Sequence, residues 1–118
     1  MSVIDRLTLE NLRTLGDAVV LQLTEAFSNN APARIEQVRS GLASGDLEAV
    51  RRSCHSLKST AAAVGGLPLA ETARRIEAAA SAGRVAEVQE LVPELEGCFD
   101  LTLLELRQYI DEAAGGIP

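Results

Sequence analysis

Leu47, Val50, Cys54, Leu57, Ala61 and Val64 recur at spacings of 3, 4, 3, 4 and 3. That alternation follows one face of an α-helix, whereas the faces of a strand repeat every second residue. A seam of this kind must lie lengthwise against neighbouring helices. Its ends are marked too. Asp46 stands where an N-cap carboxylate accepts from orphan backbone N–H groups, and Gly65-Gly66 supplies a stop. We expect a helix from Asp46 to about Val64.

The rest of the chain reads in the same period. Leu7, Leu9, Leu12 and Leu15 suggest a short capping segment within residues 1–15. Asp17 is placed to N-cap a helix with Val19, Val20, Leu23 and Phe27 on its stripe. Ser28-Asn29-Asn30-Ala31-Pro32 then reads as a break, with Pro32 in the first turn of the next helix. Ile35, Val38 and Leu42 form that helix's stripe, and Gly41 to Gly45 ends it. Pro68 opens a helix carrying Leu69, Ala73, Ile76 and Ala80, closed at Gly83. The last helix is expected from about Val85 to Ala113, with Val88, Val92, Leu95, Phe99, Leu106 and Ile110 inward. Pro93 should kink or split it, because proline lacks the backbone donor. Residues 114–118 read as a frayed tail.

No segment reads as a strand. Aromatics make up 3% of the chain against 47% apolar residues, so the core must be Leu, Val, Ile and Ala. Such a core suits helix-on-helix packing, and 118 residues suffice for one domain spanning 1–118. The expected fold is all-α, an antiparallel four-helix bundle with a short N-terminal capping helix.

A net charge of −6 argues against nucleic acid as a partner, since phosphate backbones reward the opposite sign. No apolar run reaches the length of a bilayer span, and the first residues lack a leader's pattern of basic stretch then apolar run. The expected setting is cytoplasmic. Cys54 and Cys98 lie far apart and read as reduced thiols. With one histidine and two distant cysteines there is no recognised metal-ligand spacing, and no cofactor is expected.

His55 is the single histidine. Successive helical residues are rotated by about 100°, so His55 leaves the Cys54–Leu57 stripe and joins a face with Arg51, Lys58, Ser59 and Ala62. A phosphoryl carrier needs a neutral nucleophile facing solvent, a cation for the phosphoryl oxygens, and small neighbours that permit in-line approach. This face offers each. Arg51, Arg52, Lys58, Arg74 and Arg75, five of the eleven basic residues, gather around it. Taken alone, a histidine on a solvated face is more often an ordinary surface residue.

The run from Cys54 to Leu67 changes that balance. It resembles the signature of histidine-phosphotransfer (HPt) domains of multistep two-component signalling. There a histidine is followed by an apolar residue, a lysine, a small residue, and a glycine ten positions on. His55, Leu57, Lys58, Ser59 and Gly65 match in order and spacing, and the likeness extends from about Leu21 to Ile110. It implies that His55 accepts the phosphoryl group and that Lys58 steadies its oxygens. Ser59 would allow close docking, and Gly65 would keep the top of the helix open. Ala62, Arg51 and Arg52 would belong to the docking surface. Glu77 is a candidate to hydrogen-bond the imidazole, the alternative being a surface carboxylate paired with Arg74 or solvent. The implied partners are a receiver domain of a hybrid histidine kinase and one or more response regulators. A monomer is expected, acting as carrier rather than free-standing enzyme. The rival readings are a helical adaptor that binds receivers without being phosphorylated, and a hydrolase using Cys54 with His55.

Overall fold

The computed structural model describes residues 2–115, and the side chains of residues 2–113. Five helices follow one another: α1 (Arg6–Arg13), α2 (Asp17–Ser44), α3 (Leu47–Ala63), α4 (Leu67–Ser81) and α5 (Val85–Gly115). No strand occurs among the described residues. Short joints make each of α2 to α5 run opposite to the one before. α2 packs on α3 and α5, and α4 packs on the same two, which closes an antiparallel four-helix ring with α3 and α5 on its diagonal. At 28 and 31 residues α2 and α5 outrun α3 and α4, which have 17 and 15, so the molecule measures 52 × 24 × 18 Å. Beyond the short pair, α1 packs on α2.

The seam on α3 is buried from Val50 to Val64, and Asp46 caps it, its carboxylate accepting from the Ala49 N–H at 3.0 Å. α4 opens with Pro68 in its first turn and buries Leu69, Ala73, Ile76 and Ala80. These elements form as the sequence reads.

The break expected at Ser28–Pro32 and the split expected at Pro93 are both absent. α2 passes through Ser28–Pro32 because its buried face does: Val20, Thr24, Phe27, Ala31, Ile35 and Val38 keep a spacing of 3 or 4 across it. Pro32 sits on the exposed side. The missing N–H forfeits one helical bond there, while Phe27 packs on Phe99 of α5 at 5.5 Å between ring centroids and holds the register. α5 likewise runs unsplit through exposed Pro93, flanked by buried Leu91, Val92 and Leu95. Residues 114 and 115, expected in the frayed tail, belong to its last turn, and Gly116 to Pro118 lie outside the described residues.

Asp17 does not cap α2. It is the first helical residue, after Gly16 at φ +128°, and its carboxylate pairs with Arg13 at 3.2 Å. In α1 only Leu9 is buried and Leu12 half-buried, whereas Leu7 and Leu15 face solvent. Two residues along a helix is about 200° of rotation, so Leu7 and Leu9 cannot share a face.

The N-terminal segment is a strap rather than a loose cap. Ile4 is buried, the Asp5 N–H donates to the Gly65 carbonyl at 2.7 Å, and the Val3 N–H and Ser2 hydroxyl donate to the Glu105 carboxylate. Among the described residues no helix is long and apolar enough to cross a membrane.

Candidate functional site

Midway along α3, His55 points out of the bundle with 62% of its side chain exposed. It leaves the seam because Cys54 and Leu57 on either side are fully buried. Glu77 reaches the same place from α4, one residue past buried Ile76 and only 16% exposed. Its Oε2 lies 2.6 Å from His55 Nδ1, and its Oε1 accepts from Lys58 Nζ at 2.7 Å. One carboxylate thus clamps the imidazole and the ammonium together.

The clamp has an electrostatic consequence. The hydrogen bond from Lys58 holds the Glu77 pKa below the usual carboxylate range, and that from His55 adds to it, against the opposing effect of burial. Glu77 is therefore ionised at neutral pH and can accept from an Nδ1–H, the tautomer whose lone pair is on Nε2. Because the folded pKa is depressed, the clamp's contribution is full above the ordinary carboxylate range. It is lost as pH falls through the lowered value.

Ser59 and Ala62 lie exposed beside His55, leaving its outer side clear of bulk. The surrounding cations are less available than their count suggests. Arg51 is held by Glu48 at 2.6 Å, Arg74 by Glu71 at 2.5 Å, Arg75 by Glu94 at 3.4 Å and Lys58 by Glu77. Among the described residues only Arg52 of the five has no ion-pair partner. Glu77 does not pair with Arg74, whose partner is Glu71.

Gly65 is not an open edge of the site. It is buried at φ +77°, and a Cβ there would stand 2.9 Å from the Asp5 carbonyl oxygen. It lets the strap close over the end of α3. Sequence reasoning missed both the strap and the Lys58–Glu77 bond. Glu77 falls between Ala73 and Ala80 at spacings of 4 and 3, which marks it as the edge of the buried stripe but does not name its partners on α3.

Cys54 cannot act with His55. It is fully buried, and burial, reinforced by the charge on Glu77, pushes its thiol up to about 12. Among the described residues no group of three or more His, Cys, Asp or Glu side chains is placed to hold a metal ion.

The sequence profile of the Hpt domain family matches residues 22–116. Among solved structures, the chain superimposes on histidine-containing phosphotransfer protein B from Pseudomonas aeruginosa PAO1 with a TM-score of 0.86. The two are 22% identical over 93% of this chain and 96% of that one, so the likeness is one of fold. Comparison with curated proteins by sequence gives no match.

Proposed function

The chain belongs to the Hpt domain family, the histidine-phosphotransfer modules of phosphorelays, and on that premise we propose that His55 is its phosphoacceptor. The observation that carries the reading is the exposed imidazole, with Nδ1 engaged by Glu77 and Nε2 turned to solvent without a protein partner among the described residues. A receiver domain carrying an aspartyl phosphate docks over the His55, Ser59 and Ala62 face. The Nε2 lone pair attacks phosphorus in line, the bond from phosphorus to the aspartyl oxygen breaks, and the carboxylate leaves with the electron pair. Nδ1 keeps its proton, shared with Glu77. Attack on the phosphohistidine by a second receiver's aspartate returns the group by the same path.

Charge in such a transition state spreads over the equatorial oxygens, so positioning and cations carry the step. Lys58 gives one N–H to Glu77 and keeps two for the phosphoryl oxygens. The donor is proposed to be a hybrid kinase's receiver domain and the acceptor a response regulator.

The test is incubation with a phosphorylated receiver. The protein should gain label that is labile in acid and stable in base, as a phosphorus–nitrogen bond is. Receiver binding without label would replace this reading with that of a passive adaptor.

Two further outcomes follow from the clamp. Lys58→Ala removes one charge-assisted contact and should slow transfer on the order of 10-fold, with little change in Tm. Glu77→Ala should release the imidazole, shift the ring toward the Nε2–H tautomer seen by ¹⁵N NMR, and slow transfer on the order of 10-fold or more. An unchanged tautomer ratio in Glu77→Ala would remove Glu77 from the mechanism.

A further inference from the structure

Beyond the ends of α3 and α4, a hollow of about 300 Å³ opens between the α1–α2 turn and the last turns of α5. Arg13, Asp17, Val20, Leu21, Tyr109 and Ile110 line it. Gly66 at the top of α3 packs on Thr102, and Tyr109 lies two turns further along α5. Counting rise along the helices puts the hollow about 25 Å from His55.

Tyr109 is 4% exposed, and among the described residues its fully buried hydroxyl has no acceptor for its proton. Buried hydroxyls nearly always find an acceptor, so one without invites an explanation. The other orphan among the described residues, Thr24 Oγ1, lines an adjoining hollow that shares Leu21 and Ile110. Both unsatisfied groups therefore border one groove.

The surroundings specify what would satisfy Tyr109. Arg13 donates from Nε to Asp17, which leaves guanidinium N–H groups for the Tyr109 oxygen and for a further acceptor. Its side-chain contact with the Tyr109 oxygen is the largest influence favouring the charged form of Arg13, followed by Asp17, so the guanidinium already stands against the phenol. Arg6, ion-paired with Glu112 at 3.0 Å, lies over the Tyr109 ring at 5.4 Å. The remaining wall is aliphatic. A group that accepts from a hydroxyl and a guanidinium at one end and is apolar at the other is an amphiphilic anion, and planar acceptors suit the guanidinium fork.

We propose that this hollow binds a small amphiphilic carboxylate, its head on the Tyr109 hydroxyl and Arg13 and its body against Val20, Leu21 and Ile110. The volume stands at the lower end of the range for ligand pockets, which suits a body of roughly ten non-hydrogen atoms. The ligand would tie the α1–α2 turn to the end of α5, away from the phosphotransfer face. The inference does not depend on His55.

Octanoate is the probe, titrated into the full chain and followed by ¹H–¹⁵N NMR. Saturable shifts confined to residues around 13–24 and 106–113 are expected, with a Kd of about 1 mM. Octanol should bind at least 10-fold more weakly, and Tyr109→Phe should weaken octanoate about 10-fold. Without ligand, Tyr109→Phe should melt no lower than wild type, because the substitution removes an unsatisfied hydroxyl; this separates loss of the site from loss of the fold. Equal binding of octanol, or no saturation, would overturn the proposal. Shifts at these residues that depend on protein concentration alone would overturn it in favour of a second copy of the chain. Phosphotransfer from a receiver is read separately and should be unchanged in Tyr109→Phe.

Discussion

His55→Gln is expected to abolish phosphoryl acceptance from a phosphorylated receiver while shifting Tm by no more than about 2 °C. The stability half follows from exposure: a ring 62% open to solvent contributes little burial. Glutamine can also donate an amide N–H toward Glu77, so the carboxylate and Lys58 keep a neighbour. The chemical half follows from the lack of any substitute nucleophile. An amide nitrogen has no available lone pair. The adjacent thiol, Cys54, is buried and held protonated, its pKa at about 12. Ser59 lies on the face without a base beside it once the imidazole is gone. Labelling, gel separation and acid treatment of both proteins measure the difference. Label retained by His55→Gln would place the acceptor elsewhere and end the proposed chemistry.

The parts of the fold that were legible in sequence are those where one helix carries its own signals. On α3 a cap, a six-residue stripe and a glycine stop agree, and the structure keeps all three. Proline was misleading because its effect depends on which side of a helix it faces. Pro32 and Pro93 are both exposed, and the buried residues around each hold the helix together from the other side. Counting Thr24 and Ala31 as core residues would have carried the α2 stripe through the apparent break. At the site, the position of His55 off the seam was readable from helical geometry alone. The shared use of Glu77 was not. Which carboxylate meets the imidazole depends on the vertical register of α3 against α4, and the Gly65–Gly66 joint and strap set that register. The same limit applies to the basic cluster, since neutralisation of Arg75 by Glu94 requires α5 to lie beside α4. Contacts within a helix can be read from spacing, whereas contacts between helices follow from packing.

Gly65→Ala is expected to destabilise the protein by roughly 2–4 kcal/mol, lowering Tm by about 10 °C. Two effects add. A residue with a Cβ held at φ +77° loses on the order of 1–2 kcal/mol relative to glycine. The new carbon would also stand 2.9 Å from the Asp5 carbonyl oxygen and near the Asp5 nitrogen and Thr8 side chain. The two Asp5 atoms are backbone of the strap, so relief requires moving the segment that donates the 2.7 Å bond to the Gly65 carbonyl and buries Ile4. Gly45→Ala separates the two effects. Gly45 ends α2 at φ +75°, but a Cβ there meets nothing within 4 Å, so only the backbone loss of about 1–2 kcal/mol should appear. Equal losses for the two variants, measured by urea unfolding, would mean that the strap yields freely and does not lock the end of α3. A larger loss at Gly65 would show that the glycine ten residues past the histidine is kept for the fit of the N-terminal strap. His55 itself, three turns away and clamped by Glu77, should still accept phosphoryl groups in the folded fraction of Gly65→Ala.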